Sequence, residues 1–293
     1  MLDELADEER PLFLLVHYFD PHFDYRRHPE YGFSSDGAGR LRGNQRIRQL
    51  RRMNPQPDDE EMAYLRDVYD EEIRFTDEGI GELIAGLRER NLYDSSVIVL
   101  TADHGEEFNE HGWLGHTRNL YEGLIHVPLI FRLPGGEGRG RVIAEPVSLL
   151  ALAPTVLDAM GFDASDLDFQ HGSLMPMLRR EETVDPIFVY SEVDFVAGHR
   201  PESRSTSMRS VIRGRHKLIH NRNTDRYELY DVLADPSEIR DLAAAEPDLL
   251  RSLRRDLDVV RERAQGGVAH RVSRRALESD ERAALRELGY IED

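Results

Sequence analysis

The residues that carry the most chemistry fall in one stretch, Ser96 to Pro134: SVIVLTADHGEEFNEHGWLGHTRNLYEGLIHVPLIFRLP. It opens on an apolar run, Val97-Ile98-Val99-Leu100. It then switches to Thr101, Asp103, His104, Glu106, Glu107, His111 and His116, and closes on a second apolar run from Val127 to Leu133. An adjacent carboxylate and imidazole suit a divalent cation, the carboxylate favouring hard ions and the imidazole zinc, manganese or iron. By itself an Asp-His-Gly is also an ordinary strand-ending turn, with the aspartate capping an amide and the glycine free to take a positive φ. Four histidines in this short span (His104, His111, His116 and His126) favour a functional site over that structural loop.

The flanking elements must position these groups. A short β-branched run bounded by polar residues reads as a buried strand. In open α/β sheets chemistry sits just beyond the carboxyl ends of the strands, which is where Asp103 and His104 stand. Upstream, Asp58-Asp59-Glu60-Glu61 suits a helix N-terminus through capping and the helix dipole. Met62, Leu65, Tyr69, Ile73, Ile80, Leu83, Ile84 and Leu87 then form one apolar stripe, and Asn91 is the expected stop. Residues 11–19 read as another buried strand. It runs into Asp20-Pro21-His22-Phe23-Asp24, where the proline keeps Asp20 out of helix. Residues 26–57, rich in Arg, Gly, Asn and Pro, read as a long excursion. Its Arg26, Arg27 and His28 suit either an anionic substrate or a solvated charge run.

Downstream, Pro128 fits the start of a strand that Gly135-Gly136 ends. A helix is expected over Val147 to Met160, starting near Pro154 and ending at Gly161. From Pro186 the pattern changes to short strands at 187–193, 207–213, 216–220 and 226–231, an antiparallel sheet. Helices are expected at 246–264 and 278–288, with a flexible connection at 264–277.

Composition bounds the function. At 293 residues and 40% apolar content, the chain supports one large domain or a domain with an appendage. No apolar run reaches the length of a membrane span. The opening MLDELADEER is acidic, opposite to a signal peptide, so any export signal is expected upstream of Met1, with a periplasmic or secreted location left open. A net charge of −18 argues against nucleic-acid partners and anionic membranes. It leaves room for an anionic substrate, because a metal and a few Arg or His residues invert the sign locally. Lys217 is the only lysine, and the absence of cysteine rules out disulfides. Nothing in the pattern sets an oligomeric state.

The segment TADHGEEFNEHGWLGHTRNLYEGLIHVPLI resembles the second half of the sulfatase family, in the alkaline phosphatase superfamily. So do PLFLLVHYFDPHFDY, ending at Tyr25; Tyr69-Asp70-Glu71-Glu72-Ile73 with Asp77 and Gly81; and Lys217-Leu218-Ile219, Glu228-Leu229-Tyr230-Asp231 and Asp235-Pro236. The resemblance implies an α/β fold over 1–180, an alkaline-phosphatase-like central sheet flanked by helices, and a small C-terminal antiparallel-sheet subdomain with helices over 181–293. It implies Asp103 and His104 as two metal ligands, His22 as a contact to the sulfate group, and His116 at the sulfate or its leaving oxygen. Glu122 and His126 would brace the loop from behind, and His111 is divided between a role at the site and the loop's own hydrogen bonding.

The family's metal is usually calcium, and the nitrogen of His104 leaves manganese or zinc open. Its nucleophile is a formylglycine made from the first residue of a Cys-or-Ser, x, Pro, x, Arg motif, accompanied by two further aspartates. That nucleophile motif is not found here, because there is no cysteine and no serine is followed by Pro-x-Arg. The expectation is therefore the C-terminal portion of a hydrolase for a small-molecule or carbohydrate sulfate ester, inactive without its nucleophile. One alternative is a phosphodiesterase or phosphonate hydrolase, with Asp20, His22 and His116 at a second metal. The other is a non-catalytic metal-binding remnant.

Overall fold

A computed structural model describes residues 11–164, 166–179, 188–195 and 205–266. After a single helical turn, α1 (Ile47–Leu50), the chain enters α2 (Asp59–Glu89). With 31 residues, α2 is about 46 Å long. It starts as expected, on a capping box: Asp58 accepts from the Glu61 amide at 2.9 Å, and the Glu61 carboxylate accepts from the Asp58 amide at 3.2 Å. It stops where Asn91 takes a φ of 56°.

The expected apolar stripe is only partly the buried face. Of its members Met62, Leu65 and Leu87 are buried and Ile73 is exposed, while Val68, outside the stripe, is buried as well. The helix also buries three carboxylates, Glu61, Glu71 and Glu72. A buried carboxylate is tolerated where it is hydrogen-bonded, and each of these binds the segment that precedes the helix. Glu71 accepts from the amides of His28 and Ser34 and from the Ser34 hydroxyl, all at 2.8 Å. Glu72 accepts from the Arg26 amide at 2.8 Å. Glu61 accepts from the Arg40 amide at 2.6 Å and from its guanidinium at 3.0 and 2.6 Å.

Residues 26–57 are therefore not an excursion. Ala38, Leu41, Ile47 and Leu50 join Tyr25, Met62, Leu65, Val68, Phe108 and Leu114 in one core cluster. Periodicity misses this segment because several of its amides bond to helix carboxylates rather than to one another.

From α2 the chain reaches β1 (Ile98–Thr101), which pairs antiparallel with β2 (Leu129–Arg132) in the register Ile98↔Arg132 to Thr101↔Leu129. The loop between them, which contains α3 (Glu122–Ile125), thus leaves and returns at one end of the ribbon. Pro128 stands just before β2, as expected. The strand expected at 11–19 does not form: the segment has no regular structure, and Phe13 and Leu15 are 82% and 81% exposed. An apolar strand forms by pairing with neighbours and burying its faces, and no strand among the described residues pairs with this one. β1 is likewise only half-buried.

Beyond β2, α4 (Leu152–Ala159) carries Pro154 in its first turn and ends at Gly161, whose φ is 75°. With α5 (Met175–Arg179) it covers the ribbon, Ala151, Leu174 and Met177 packing on Leu129 and Phe131. The C-terminal sheet is a meander of β3 (Phe188–Phe195), β4 (Thr206–Arg213), β5 (His216–Asn221) and β6 (Arg226–Asp231), close to the expected spans. α6 (Pro247–Gly266) packs Leu253 and Leu257, one turn apart, onto Val211, Leu218 and Leu229. The helix expected at 278–288 lies outside the described residues. No helix among the described residues is long and apolar enough to cross a membrane.

Candidate functional site

Asp103 and His104 follow β1 directly, where the strand-end rule places them. The His104 amide donates to Asp103 Oδ1 at 3.0 Å, and His104 Nε2 lies 3.9 Å from the same oxygen. Two donor atoms at that separation can both reach an ion lying about 2.3–2.6 Å from each, so the pair fits part of a divalent site. The Asp103 side chain is exposed, which leaves room for ligands from elsewhere. Among the described residues no group of three or more His, Asp or Glu side chains is arranged to hold a metal.

His22 and His116, far apart in sequence, meet at this pair. The His116 ring centroid is 4.1 Å from that of His104 and 5.1 Å from that of His22, and Phe23 stacks on His116 at 4.6 Å. Each imidazole uses Nδ1 on a neighbouring acceptor: His22 on the Phe23 carbonyl, His104 on the Gly105 carbonyl at 2.8 Å, and His116 on the Glu106 carboxylate at 3.2 Å. A carbonyl can only accept, so the Nδ1 of His22 and of His104 carries hydrogen and Nε2 is the nitrogen left for chemistry. Burial, with His116 and His104 close by, holds His22 below its ordinary 6.5 against the opposing Phe23 carbonyl.

Buried carboxylates support the loop from beneath. Glu106 is almost fully buried. Glu107 organises the following turn, accepting from the amides of His111 at 2.7 Å and Trp113 at 3.1 Å and from the Asn119 side chain. Burial raises its carboxyl above the usual range, and those three donors pull it back. Burial raises Glu72 to about 8, against the Arg26 amide and with Asp20 adding to it. Burial, then Glu106, pushes Tyr69 up to about 12. Arg51 fastens the far side: its Nε donates to the Leu114 carbonyl at 2.8 Å, and its guanidinium lies 4.6 Å over Trp113 and 5.6 Å over Phe23.

The remaining candidates stand further back. His111 stacks on Tyr121 with ring centroids 3.6 Å apart. Glu122 accepts from Lys217 at 2.9 Å, while His126, 3.6 Å from Glu122, is largely exposed. Asp20 is joined to α2 through its carbonyl, which accepts from Thr76 at 3.1 Å. Sequence reasoning named Glu106 and Glu107 only as members of the polar stretch, and gave no role to them, to Phe23 or to Arg51. Glutamate in a polar loop reads as solvated, and the nearest signal was the adjacency of Glu106 to Asp-His-Gly.

A family model described as sulfatase matches residues 1–162, and one described as N-sulphoglucosamine sulphohydrolase, C-terminal, matches residues 109–263. The chain is 29% identical over 199 residues to arylsulfatase K of Danio rerio, covering 67% of this chain and 37% of that protein. It is 33% identical over 181 residues to an N-acetylglucosamine-6-O-sulfatase of Bacteroides thetaiotaomicron, covering 61% and 32%. It therefore spans about a third of the length of the curated relatives it matches. The structure of a phosphonate monoester hydrolase from Silicibacter pomeroyi superposes with a TM-score of 0.60 at 27% identity, covering 77% of this chain and 46% of that one. The mixed helices and sheets, with the four-stranded antiparallel sheet near the C-terminus, are those of the alkaline-phosphatase-like α/β fold. With one family model covering more than half of the chain and taking in His22, Asp103, His104 and His116, the chain belongs to the sulfatase family.

Proposed function

We propose that the intact protein hydrolyses a sulfate ester of a sugar or another small alcohol, and that this chain supplies half of its site. Asp103 and His104 are two ligands of one divalent metal, calcium before manganese or zinc, with the other ligands and a formylglycine nucleophile coming from outside these residues. When bound, the metal would lower the cost of negative charge on the ester oxygens and on the nucleophile. The Nε2 of His116, steadied by Glu106 and Phe23, delivers a proton to the departing alcohol oxygen. His22 contacts the sulfate through its Nε2 edge. In this reading residues 1–180 form the catalytic part, and 181–293 a smaller unit packed against its loop.

The observation that carries this reading is the meeting of His22, His104 and His116 at the end of β1 with their Nδ1 atoms already engaged. The relatives support the reaction class, and the N-acetylglucosamine-6-O-sulfatase supports a sugar substrate. The phosphonate monoester hydrolase likeness supports a second reading, in which the same groups serve phosphoryl chemistry with Asp20, His22 and His116 at a second metal.

The two separate on substrate preference. The intact protein is assayed on an aryl sulfate, on 6-sulfated N-acetylglucosamine and on an aryl phosphonate monoester, after chelation and again with calcium restored. The proposal expects metal-dependent release of sulfate at the higher kcat/KM, abolished by Asp103→Asn. Preference for the phosphonate would transfer the assignment to the second reading. Absence of any turnover would leave the non-catalytic remnant.

A further inference from the structure

Lys217 is the single lysine in a chain with 38 lysines and arginines, and it lies on β5, fully buried. Its Nζ is 2.9 Å from Glu122 Oε1 and 2.8 Å from Glu238 Oε1. Glu122 opens α3, and its amide donates to Glu238 Oε2 at 2.6 Å. The sheet lysine, the helix carboxylate and the helix-start amide thus close a ring through Glu238. A buried ammonium is costly unless paired and hydrogen-bonded, and here two carboxylates meet it. A guanidinium is wider and planar, so a compact point charge answers this position where the rest of the chain uses arginine.

α3 in turn abuts the residue that follows the Asp103-His104 pair. The Gly105 amide donates to the Leu124 carbonyl at 2.8 Å. The two backbones are so close that a Cβ on Gly105 would lie 2.2 Å from the Gly123 carbonyl oxygen. A second tie runs in parallel from β6: Glu228 Oε2 accepts from Tyr121 at 2.7 Å and from Tyr230 at 3.1 Å, and Tyr121 carries the stacked His111. The loop is therefore held by the C-terminal sheet at a point well removed in sequence from the imidazoles.

We propose that Lys217 is a positioning residue for the Asp103-His104 pair: through Glu122 and Glu238 it fixes α3, and α3 fixes Gly105. The small C-terminal sheet thereby sets the placement of two ligands it does not touch. The functional meaning rests on the metal-pair reading above, while the mechanical coupling stands apart from it.

Hydrogen exchange on the intact protein tests the coupling. In Lys217→Met the Gly105 amide should exchange at least about tenfold faster, while the Leu229 amide, which donates to Asp241 at 3.1 Å, stays within about twofold of its original rate. Calcium affinity, measured by titration with the metal alone, should fall in the same variant. If Gly105 exchange is unchanged, or if Gly105 and Leu229 accelerate equally, the proposal is wrong. Should Lys217→Met fail to fold, Glu122→Gln keeps the side-chain shape and the Lys217–Glu238 pair, and the same two amides decide. A protein that binds none of calcium, manganese and zinc would sink the metal-pair reading, and the exchange result would still decide the coupling.

Discussion

His22, His104 and His116 share one device. Each commits Nδ1 to an acceptor, so that Nε2 is the nitrogen left for chemistry. Asp103 and His104 were legible in the sequence because a strand-end rule and two metal-ligating residue types coincide there. His22 and His116 were legible only through the family resemblance, since nothing in their spacing brings them together. The buried glutamates were not legible, because a carboxylate in a helical pattern is indistinguishable from a solvated one until its partners are known. Glu72 gives the sharpest test of that burial. Its carboxyl stands at about 8 in the folded chain, against an ordinary 4.5. Between those values the native state holds a proton that the unfolded state has released, so this group makes stability fall as pH rises. Glu72→Gln keeps the acceptor for the Arg26 amide and removes the titration. Its melting temperature, equal to or below that of the unaltered protein at pH 5, should exceed it by pH 9. The underlying difference in stability should grow by about 1.4 kcal/mol for each pH step of one between those two values. A difference that stays flat from pH 5 to 9 would show that Glu72 is not a buried, protonated acid.

Among the elements, α2 and the four C-terminal strands were read within a few residues, because capping residues and regular strand spacing are local signals. Two elements were misread for one reason: their structure depends on partners. Residues 11–19 carry a strand pattern without a paired strand among the described residues. Residues 26–57 carry no pattern yet are core, because Glu61, Glu71 and Glu72 hold their backbone. The contact that matters most to the site is the close approach of Gly105 to Gly123, which leaves no room for a side chain. Gly105→Ala should destabilise the protein by about 1–3 kcal/mol, the usual cost of overpacking a closed contact. Gly81→Ala, on α2 with nothing within 4 Å of the added carbon, should be neutral or stabilising by up to about 1 kcal/mol. Thermal melts of the two variants check both. Equal melting temperatures would mean that the Gly105–Gly123 contact is not tight.

At the scale of the whole molecule, the exposed apolar run at 11–19 and the half-buried ribbon of β1 and β2 form surface that water disfavours. The 293 residues produced alone should therefore self-associate with rising concentration and bind an apolar dye, as unpaired strand edges do. Sedimentation of a stable monomer with one cooperative melt would contradict this. The net charge of −18 leaves room for the proposed anionic ester, because the imidazoles and a bound metal would set the local sign. The proposed function turns on protonation of the departing alcohol of a sulfate ester by His116. It is tested by kcat/KM for a series of aryl and alkyl sulfates of increasing alcohol pKa, with the intact protein and with His116→Ala. The expected result is a loss of about 10²–10⁴ for the most basic leaving groups, shrinking toward none for the most acidic. A loss that is the same across the series, or no loss at all, would contradict it.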